Sequence, residues 1–192
     1  MLNGKANAQR MRSLVLLLRY SAMRIGDAVS FSPDRLDGNR LFLYTAKTGT
    51  PVYTVLPEFV VKALEDIPKT TERFYFWTGV GKLSTAVRMW DMRLKRIFEK
   101  AKIVKGHAHR FRDTFAVELL LAGVPMERVS VLLGHTSIRV TERHYAPWVR
   151  ARQEQLEADV SRVWNRDPLA LLETESQTKG TLEVHSNNRR PN

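Results

Sequence analysis

The stretch GHAHRFRDTFA, residues 106–116, contains two His-x-x-Arg pairs. One pair is His107 with Arg110, and the other, shifted by two residues, is His109 with Arg112. Residues three apart lie on the same side of a helix, so the members of either pair can act on one target. The stretch therefore predicts a helix that presents a histidine and an arginine together.

A helical projection separates the two pairs. The apolar side chains that follow form one stripe along the predicted helix: Phe111, Phe115 and Leu119. At about 100° per residue, Arg112 lies beside this stripe with His109 next to it, whereas Arg110 lies away from it. His109 and Arg112 are therefore predicted to form a partly buried, rigid site. His107 and Arg110 are predicted to lie at its rim or to contact a phosphate backbone.

Helical spacing of apolar residues recurs on both sides of this stretch. Ser84 is a favourable N-cap for a long helix, and Gly123 and Pro147 are typical of helix ends. The predicted helices are two within 12–30, followed by 57–67, 84–101, 109–123, 125–133, 137–146 and 148–164. The first of them, RSLVLLLRYSAM, is apolar on nearly every side and is predicted to be buried.

Short β-strands are predicted between residues 32 and 57, where SPDRL, NRLFLYTAK and TPVYTVLP follow one another. Asp37-Gly38 and Thr48-Gly49 are typical turn dipeptides between them. These stretches predict a small antiparallel β-meander at one edge of a helical protein. The predicted fold class is therefore mainly α with a small antiparallel sheet (α+β).

The overall composition favours a polyanionic partner. The chain has 31 Lys and Arg against 20 Asp and Glu, a net charge of +11. This balance is typical of nucleic-acid-binding proteins, although basic variants of ordinary enzymes share it. The lack of cysteine excludes disulfides, thiolate nucleophiles and cysteine-based zinc sites, and it fits a reducing cytoplasm. The longest apolar run, Leu14–Leu18, is far shorter than the roughly 20 residues of a membrane span.

Cleavage of a phosphodiester bond needs a particular set of side chains. Negative charge gathers on the non-bridging oxygens in the transition state, and arginine is the best-shaped donor to them. An uncharged nucleophile needs a base, and the departing alkoxide needs an acid. A site of this class therefore combines two arginines, one or two histidines, a lysine and a hydroxyl group.

Four stretches of the chain resemble those of the tyrosine recombinases, the phage integrase family. HRFRDTFA is similar to the family's His-x-x-Arg box, and YSAMRIGDAVSF to its first Arg box, with Arg24 and Asp27. AKTGTPVYTVLP resembles its β-hairpin with a mobile catalytic lysine, here Lys47. LLGHTSIRVTERHYAPW resembles its Leu-Gly-His box and nucleophilic tyrosine, here His135 and Tyr145. The four stretches also occur in the family's order.

The resemblance implies a fold, a reaction and a set of roles. The fold is that of the catalytic domain of DNA breaking-rejoining enzymes. The reaction is site-specific recombination or integration of DNA through a covalent 3′-phosphotyrosyl intermediate. The resemblance implies that Tyr145 is the nucleophile, that Arg24 and Arg112 donate to the non-bridging oxygens, and that Lys47 is the acid for the leaving 5′-oxygen. It also implies that His109 accepts a proton and that His135 contacts the phosphate or the tyrosine. Asp27 is expected to support Arg24 or its loop.

The chain departs from the family's pattern at two positions. Asp113 stands where family members commonly carry histidine or another residue. The family's tyrosine usually falls nine residues after the Leu-Gly-His histidine, but here His144 is ninth and Tyr145 is tenth. One residue rotates a helical side chain by about 100°. We therefore expect either a bulge or loop before Tyr145 or a different helix path.

The resemblance also implies a domain organisation and partners. Residues 1–165 are predicted to form the catalytic domain, without the helical DNA-clamping domain that usually precedes it, and 166–192 a disordered tail. The implied partners are double-stranded DNA and further copies of the chain, in a tetramer that exchanges a C-terminal segment. The apolar seam from Val149 to Val163 is the candidate for that exchange or for folding back on its own domain. No cofactor or metal is implied, and the implied location is the bacterial cytoplasm, at the nucleoid.

Two alternatives remain open from the sequence. An inactive DNA-binding remnant of an integrase would bind DNA independently of Tyr145, and a type IB topoisomerase-like enzyme would relax supercoils without a partner site. Basic residues on the 84–101 helix are further candidate DNA contacts, although a charged helix face is usually only solvated: Arg88, Arg93 and Lys95.

Overall fold

The fold is mainly helical and includes one small sheet. A computed structural model describes residues 4–68 and 70–167. The described helices are α1 (Gly4–Ser21), α2 (Ile25–Val29), α3 (Glu58–Glu65), α4 (Leu83–Lys100), α5 (His109–Leu121), α6 (Met126–Leu132) and α7 (Ile138–Trp164). The described strands are β1 (Leu36–Asp37), β2 (Arg40–Tyr44) and β3 (Pro51–Val55). The predicted fold class is confirmed.

The sheet is an antiparallel meander in the order β1-β2-β3, as predicted. Leu43 pairs with Val52 across β2 and β3, and both side chains are buried on the same face. The turn at 45–50 joins these strands and carries Lys47. Much of the predicted first strand is instead a 3-10 turn at Pro33–Arg35, because proline has no N–H to donate to a strand ladder.

Most buried apolar side chains belong to a first cluster, formed by α1, α2, the sheet, α3 and α4. Its fully buried members include Leu14, Leu17 and Leu18 of α1 and Trp90 and Leu94 of α4. Burying one such side chain stabilises a fold by roughly 1.5–3 kcal/mol, so this cluster is the main scaffold. The predicted burial of the first helix is confirmed, although α1 begins at Gly4, before the predicted start.

A smaller second cluster lies where α5, α6 and α7 meet the residue after α1. Its buried members are Ala22, Ala116, Leu120, Val129, Leu133 and Tyr145. The ends of α5 and α6 are fixed by glycines with positive φ, Gly123 at +88° and Gly134 at +60°. A tyrosine that the sequence singles out for chemistry is thus part of a hydrophobic core.

Two predicted helix boundaries are wrong. Ser84 is not the N-cap of α4, because the helix begins at Leu83 and the N–H of Thr85 already bonds to the carbonyl of Lys82. Pro147 does not end a helix but lies within α7. Proline removes one backbone donor and weakens one turn, which the neighbouring turns of a long helix tolerate.

The remaining boundary predictions concern the end of the chain and the membrane. Of the predicted tail, 166–192, all but the first two residues lie outside the described residues. Within 4–68 and 70–167, every helix is too short or too polar to cross a bilayer.

Candidate active site

Arg112 is the most firmly held side chain of the site. It is 3% exposed, and its Nη1 donates to the carbonyl oxygen of Ala22 at 2.8 Å. Its Nη2 donates to the carbonyl oxygen of Leu133. Its Nε is buried and has no hydrogen-bond partner among the described residues. The predicted burial of Arg112 is therefore confirmed, and one of its donors remains free.

The buried row of α5 differs by one position from the predicted stripe. Its fully buried side chains are Arg112, Ala116 and Leu120, whereas the predicted Phe111, Phe115 and Leu119 are half-buried. The row shifts because Arg112 itself is drawn into the interior by the two carbonyl groups. Arg110 and His107 are exposed, as predicted, and His107 Nδ1 lies 2.8 Å from the carbonyl oxygen of Lys105.

Arg24 provides the second guanidinium group. It occupies the N-cap position of α2 in an extended conformation, and its Nη1 is buried without a partner among the described residues. Burial and then the nearby charge of Arg24 lower the pKa of Arg112 to about 10. The two cations therefore lie close enough to repel each other, which favours an anion between them.

Tyr145 lies on α7 and is 4% exposed. Its hydroxyl group donates to Asp113 Oδ1 at 2.9 Å. Burial and then this hydrogen bond raise the pKa of the Tyr145 phenol above its usual value, whereas the charge of Arg112 opposes the rise. The ten-residue spacing therefore still brings Tyr145 beside Arg112: α7 is regular from Ile138, after the loop at 133–137.

His109 begins α5 and faces Asp113 one turn later. His109 Nε2 lies 3.7 Å from Asp113 Oδ1, and the histidine side chain is 53% exposed. Burial is the main cause that lowers the pKa of His109; Asp113 opposes it, and Arg112, His107 and Arg24 add to it. The imidazole is therefore mostly neutral at pH 7 and can accept a proton.

His135 follows the tight turn at Gly134. Its Nδ1 lies 2.8 Å from Thr141 Oγ1. Burial and the charges of Arg112 and Arg24 lower the pKa of His135 to about 4. The ring is therefore neutral at pH 7 and lies near both arginines.

Lys47 is exposed on the β2–β3 turn, whose base is attached at two points. The N–H of Ala46 donates to Asp27 Oδ1 at 2.8 Å. On the other side, Thr48 Oγ1 lies 3.4 Å from the carbonyl oxygen of Gly134, the residue before His135. The turn that carries Lys47 is thus tied to the loops that carry Arg24 and His135.

Asp27 supports the turn that carries Lys47 and does not form an ion pair with Arg24 among the described residues. No ion pair between them is found within 4–68 and 70–167, and the Asp27 carboxylate accepts the turn N–H instead. Of the two expected roles for Asp27, support of Arg24 or of its loop, the geometry fits the loop. Gly134 also packs closely against the sheet: a side chain at this position would place its Cβ only 2.7 Å from Val52 Cγ2, so only glycine fits there without a shift.

The candidate DNA contacts on α4 have unequal surroundings. Arg88 is exposed. Lys95 is paired with Asp91 at 2.8 Å, and Arg93 lies over the ring of Trp90 at 5.2 Å from its centroid. Arg88 is therefore the freest of the three for an external anion.

In the sequence, Asp113 stands out only as a departure from the family's pattern, and its contact with Tyr145 is not predicted. Asp113 lies four residues after His109 and directly after Arg112, so a helical projection places it beside His109. Its contact with Tyr145 spans 32 residues of sequence, and no local pattern predicts it.

Comparisons with known proteins find similarity to integrases and tyrosine recombinases. The sequence profile of the phage integrase family matches residues 1–150. A probable integrase/recombinase of Acholeplasma phage L2 is 22% identical over 147 residues, which cover 74% of this chain and 51% of that protein. The tyrosine recombinase XerD of Corynebacterium glutamicum is 27% identical over 143 residues, covering 69% of this chain and 47% of that protein.

A solved structure has a similar fold. It is the XerH site-specific recombinase bound to palindromic difH substrate in a post-cleavage complex, with a TM-score of 0.61 and 18% identity. The match covers 84% of this chain and 48% of XerH. The chain thus spans about half the length of the curated relatives described above.

Proposed function

The chain belongs to the phage integrase family, and we propose that it is a tyrosine-type site-specific recombinase that cuts and rejoins double-stranded DNA through a covalent 3′-phosphotyrosyl link. One observation carries the proposal. Arg24 Nη1 and Arg112 Nε are buried donors without a described partner, and Tyr145 lies close to Arg112. Buried donors without partners are costly, so a site that retains two of them is suited to an anion such as a phosphate.

In the proposed reaction, the Tyr145 oxygen attacks the phosphorus of the scissile phosphate. The guanidinium groups of Arg24 and Arg112 donate to its non-bridging oxygens, and neutral His135 adds a hydrogen bond. Lys47, on the turn between β2 and β3, gives a proton to the leaving 5′-oxygen. A 5′-hydroxyl of another strand reverses the step, so no ATP or divalent ion is consumed.

Strand exchange between two duplexes requires four such sites, and we propose a tetramer on DNA. The described part of α7 after Trp148 exposes an apolar seam: Val149, Leu156, Val160 and Val163. An exposed apolar seam favours docking on another surface, and we propose that it exchanges between copies. The similarity to a recombinase bound to its DNA substrate supports DNA as the partner.

The test is a search for the covalent adduct. A pool of nicked duplexes with randomised bases around the scissile phosphate is incubated with the 192-residue chain. Cleavage near the nick releases a short fragment, so the protein remains attached and migrates with DNA on a denaturing gel. We expect an adduct that Tyr145→Phe abolishes, because the ring still packs but the nucleophilic oxygen is gone.

The matched control is Tyr53→Phe, which removes a phenol that is 68% exposed on β3. The Tyr53→Phe variant should form the adduct at the wild-type rate. DNA binding without any adduct would instead identify an inactive remnant, and relaxation of supercoils without a recombined product would identify a topoisomerase-like enzyme.

A further inference from the structure

Asp113 contacts the reacting oxygen but has no role in the proposed reaction so far. Resting on the proposed function, we propose that the Asp113 carboxylate accepts the proton of the Tyr145 hydroxyl as that oxygen attacks the phosphate, and returns it on rejoining. Asp113 is then a catalytic residue, and the His109 imidazole beside it is a second place for the proton.

The geometry suits a general base. A base must lie within about 2.6–3.2 Å of the atom that it deprotonates, and Asp113 Oδ1 lies 2.9 Å from the Tyr145 oxygen. Asp113 is the one acceptor recorded for this hydroxyl within 4–68 and 70–167. Because the O–H bond points at Asp113, the lone pairs of the phenol oxygen face other directions and are free to attack.

The same carboxylate oxygen connects the phenol to His109. Asp113 Oδ1 lies 3.7 Å from His109 Nε2, while the Asp113 side chain is 38% exposed. One oxygen thus lies between a donor that must lose a proton and a neutral imidazole that can hold one. A carboxylate alone is a weak base for a phenol, and the neutral imidazole behind it is a second acceptor.

The phenol needs such help. Burial raises the pKa of Tyr145, so its spontaneous ionisation at neutral pH is even less favourable than that of a free tyrosine. A base that takes the proton while the new bond forms avoids a free phenolate. Arg112 opposes the rise in pKa, which favours the developing negative charge on the oxygen.

The proposed step balances. A lone pair of the Tyr145 oxygen forms the O–P bond while the O–H bond breaks, the proton moves to Asp113 Oδ1, and the electron pair of the O–H bond stays on the oxygen. The bond from phosphorus to the 5′-oxygen breaks with its electron pair, and that oxygen takes a proton from Lys47. Nothing is oxidised or reduced, and the reverse reaction uses the same proton transfers.

Several other groups around Tyr145 carry charge or titrate. Those that act on Arg112 or on the two nearby histidines are Arg24, Asp27, His107, His109, Arg112, His135 and His144. The pKa values of His109 and His135 are lowered from the ordinary histidine value, to about 4 for His135, and that of Arg112 is about 10. Between pH 7 and 9 these three groups therefore keep mostly one charge state, which makes this window suitable for the test.

The experiment measures single-turnover cleavage between pH 7 and 9 with excess protein. The substrate is the duplex most efficiently captured from the nicked pool. We expect Asp113→Asn to slow cleavage by about 10²–10⁴-fold at pH 7, the usual effect of losing a general base. We also expect its rate to rise about tenfold per pH unit, because the phenol must then ionise unaided, whereas the wild-type rate rises less.

Three outcomes would overturn the proposal: an unchanged rate, a faster rate, or a slower rate with the wild-type pH profile, which indicates positioning only. Glu118→Gln, on the same helix but paired with Arg19, controls for the loss of a carboxylate and should cleave normally. Thermal melting and DNA binding of Asp113→Asn confirm that it is folded. If the wild-type chain forms no adduct, the recombinase proposal fails instead, so the two failures are distinct.

Discussion

The part of the site on α5 and α7 is built into the interior, whereas the part on the β2–β3 turn lies at the surface. Arg112 and Tyr145 are 3% and 4% exposed, and Tyr145 belongs to the second cluster. Lys47 is exposed, and its turn is attached through the Ala46 N–H and the Thr48 hydroxyl. The side chains of Arg112 and Tyr145 are therefore part of the core, whereas Lys47 lies outside the core on a turn that is attached to it.

This difference has a consequence for stability. A buried arginine whose donors pair with two carbonyl groups supports the fold and the proposed phosphate site together. An exposed lysine on a turn contributes little to the fold, and in the proposed reaction it moves toward the leaving group. Substitution of Arg112 should therefore lower both activity and stability, whereas substitution of Lys47 should lower activity alone.

The largest effect is expected from the two arginines. Arg112→Gln and Arg24→Gln should each lower the cleavage rate by about 10²–10³-fold. Arg112→Gln should also lower the free energy of unfolding by about 1–3 kcal/mol, because carbonyl groups of Ala22 and Leu133 lose their donor. Arg24→Gln should leave it unchanged or raise it, because Arg24 Nη1 has no described partner and its charge repels Arg112.

Chemical denaturation and single-turnover cleavage of the two variants check this pair. Equal loss of stability in both variants would break the comparison, since it would make Arg24 as much a part of the fold as Arg112.

A smaller effect is expected from the exposed turn. Lys47→Ala should slow cleavage by about 10²-fold or more, the usual effect of losing a general acid, with an unchanged melting temperature. A duplex with sulfur in place of the bridging 5′-oxygen should restore the rate, because a thiolate leaves without a proton. The same duplex should not restore Asp113→Asn, whose defect lies on the other side of the phosphorus. A Lys47→Ala defect that sulfur leaves in place would assign Lys47 to DNA binding alone.

The smallest effect is expected from the pH dependence of stability near His135. Its pKa is about 4 in the folded protein, below the unfolded value of about 6.5. As the pH falls, the unfolded chain takes up the proton first, so the contribution of this group is complete above about pH 6.5 and is lost toward pH 4. We expect the melting temperature to fall less between pH 7.5 and 4.5 in His135→Gln than in wild type. An identical fall in both would show that His135 is not held neutral by the core.

Local patterns predicted much of the fold and named most of the site. The helices and the meander follow from residue periodicity and turn dipeptides, and the burial of Arg112 beside an apolar row follows from its helical position. The two boundary errors have local causes. At Ser84 a backbone hydrogen bond takes the place of the predicted side-chain cap, and at Pro147 the long helix continues despite one missing backbone donor. Local patterns could not place Tyr145 beside Arg112, which only the family resemblance implied, because that position depends on where α7 starts and how it packs.

The sequence by itself determined the family, the basic charge, the kinds of elements and the candidate reactive groups, since each of these depends on composition or on short-range spacing. Only the tertiary structure decided that Asp113 accepts from the hydroxyl of Tyr145, that Asp27 accepts from the turn of Lys47, and that Arg24 lies close enough to lower the pKa of Arg112. These pairs are 32, 19 and 88 positions apart in the sequence, and such separations are closed by the packing of the clusters. Packing depends on the whole set of buried side chains, so no short stretch encodes it.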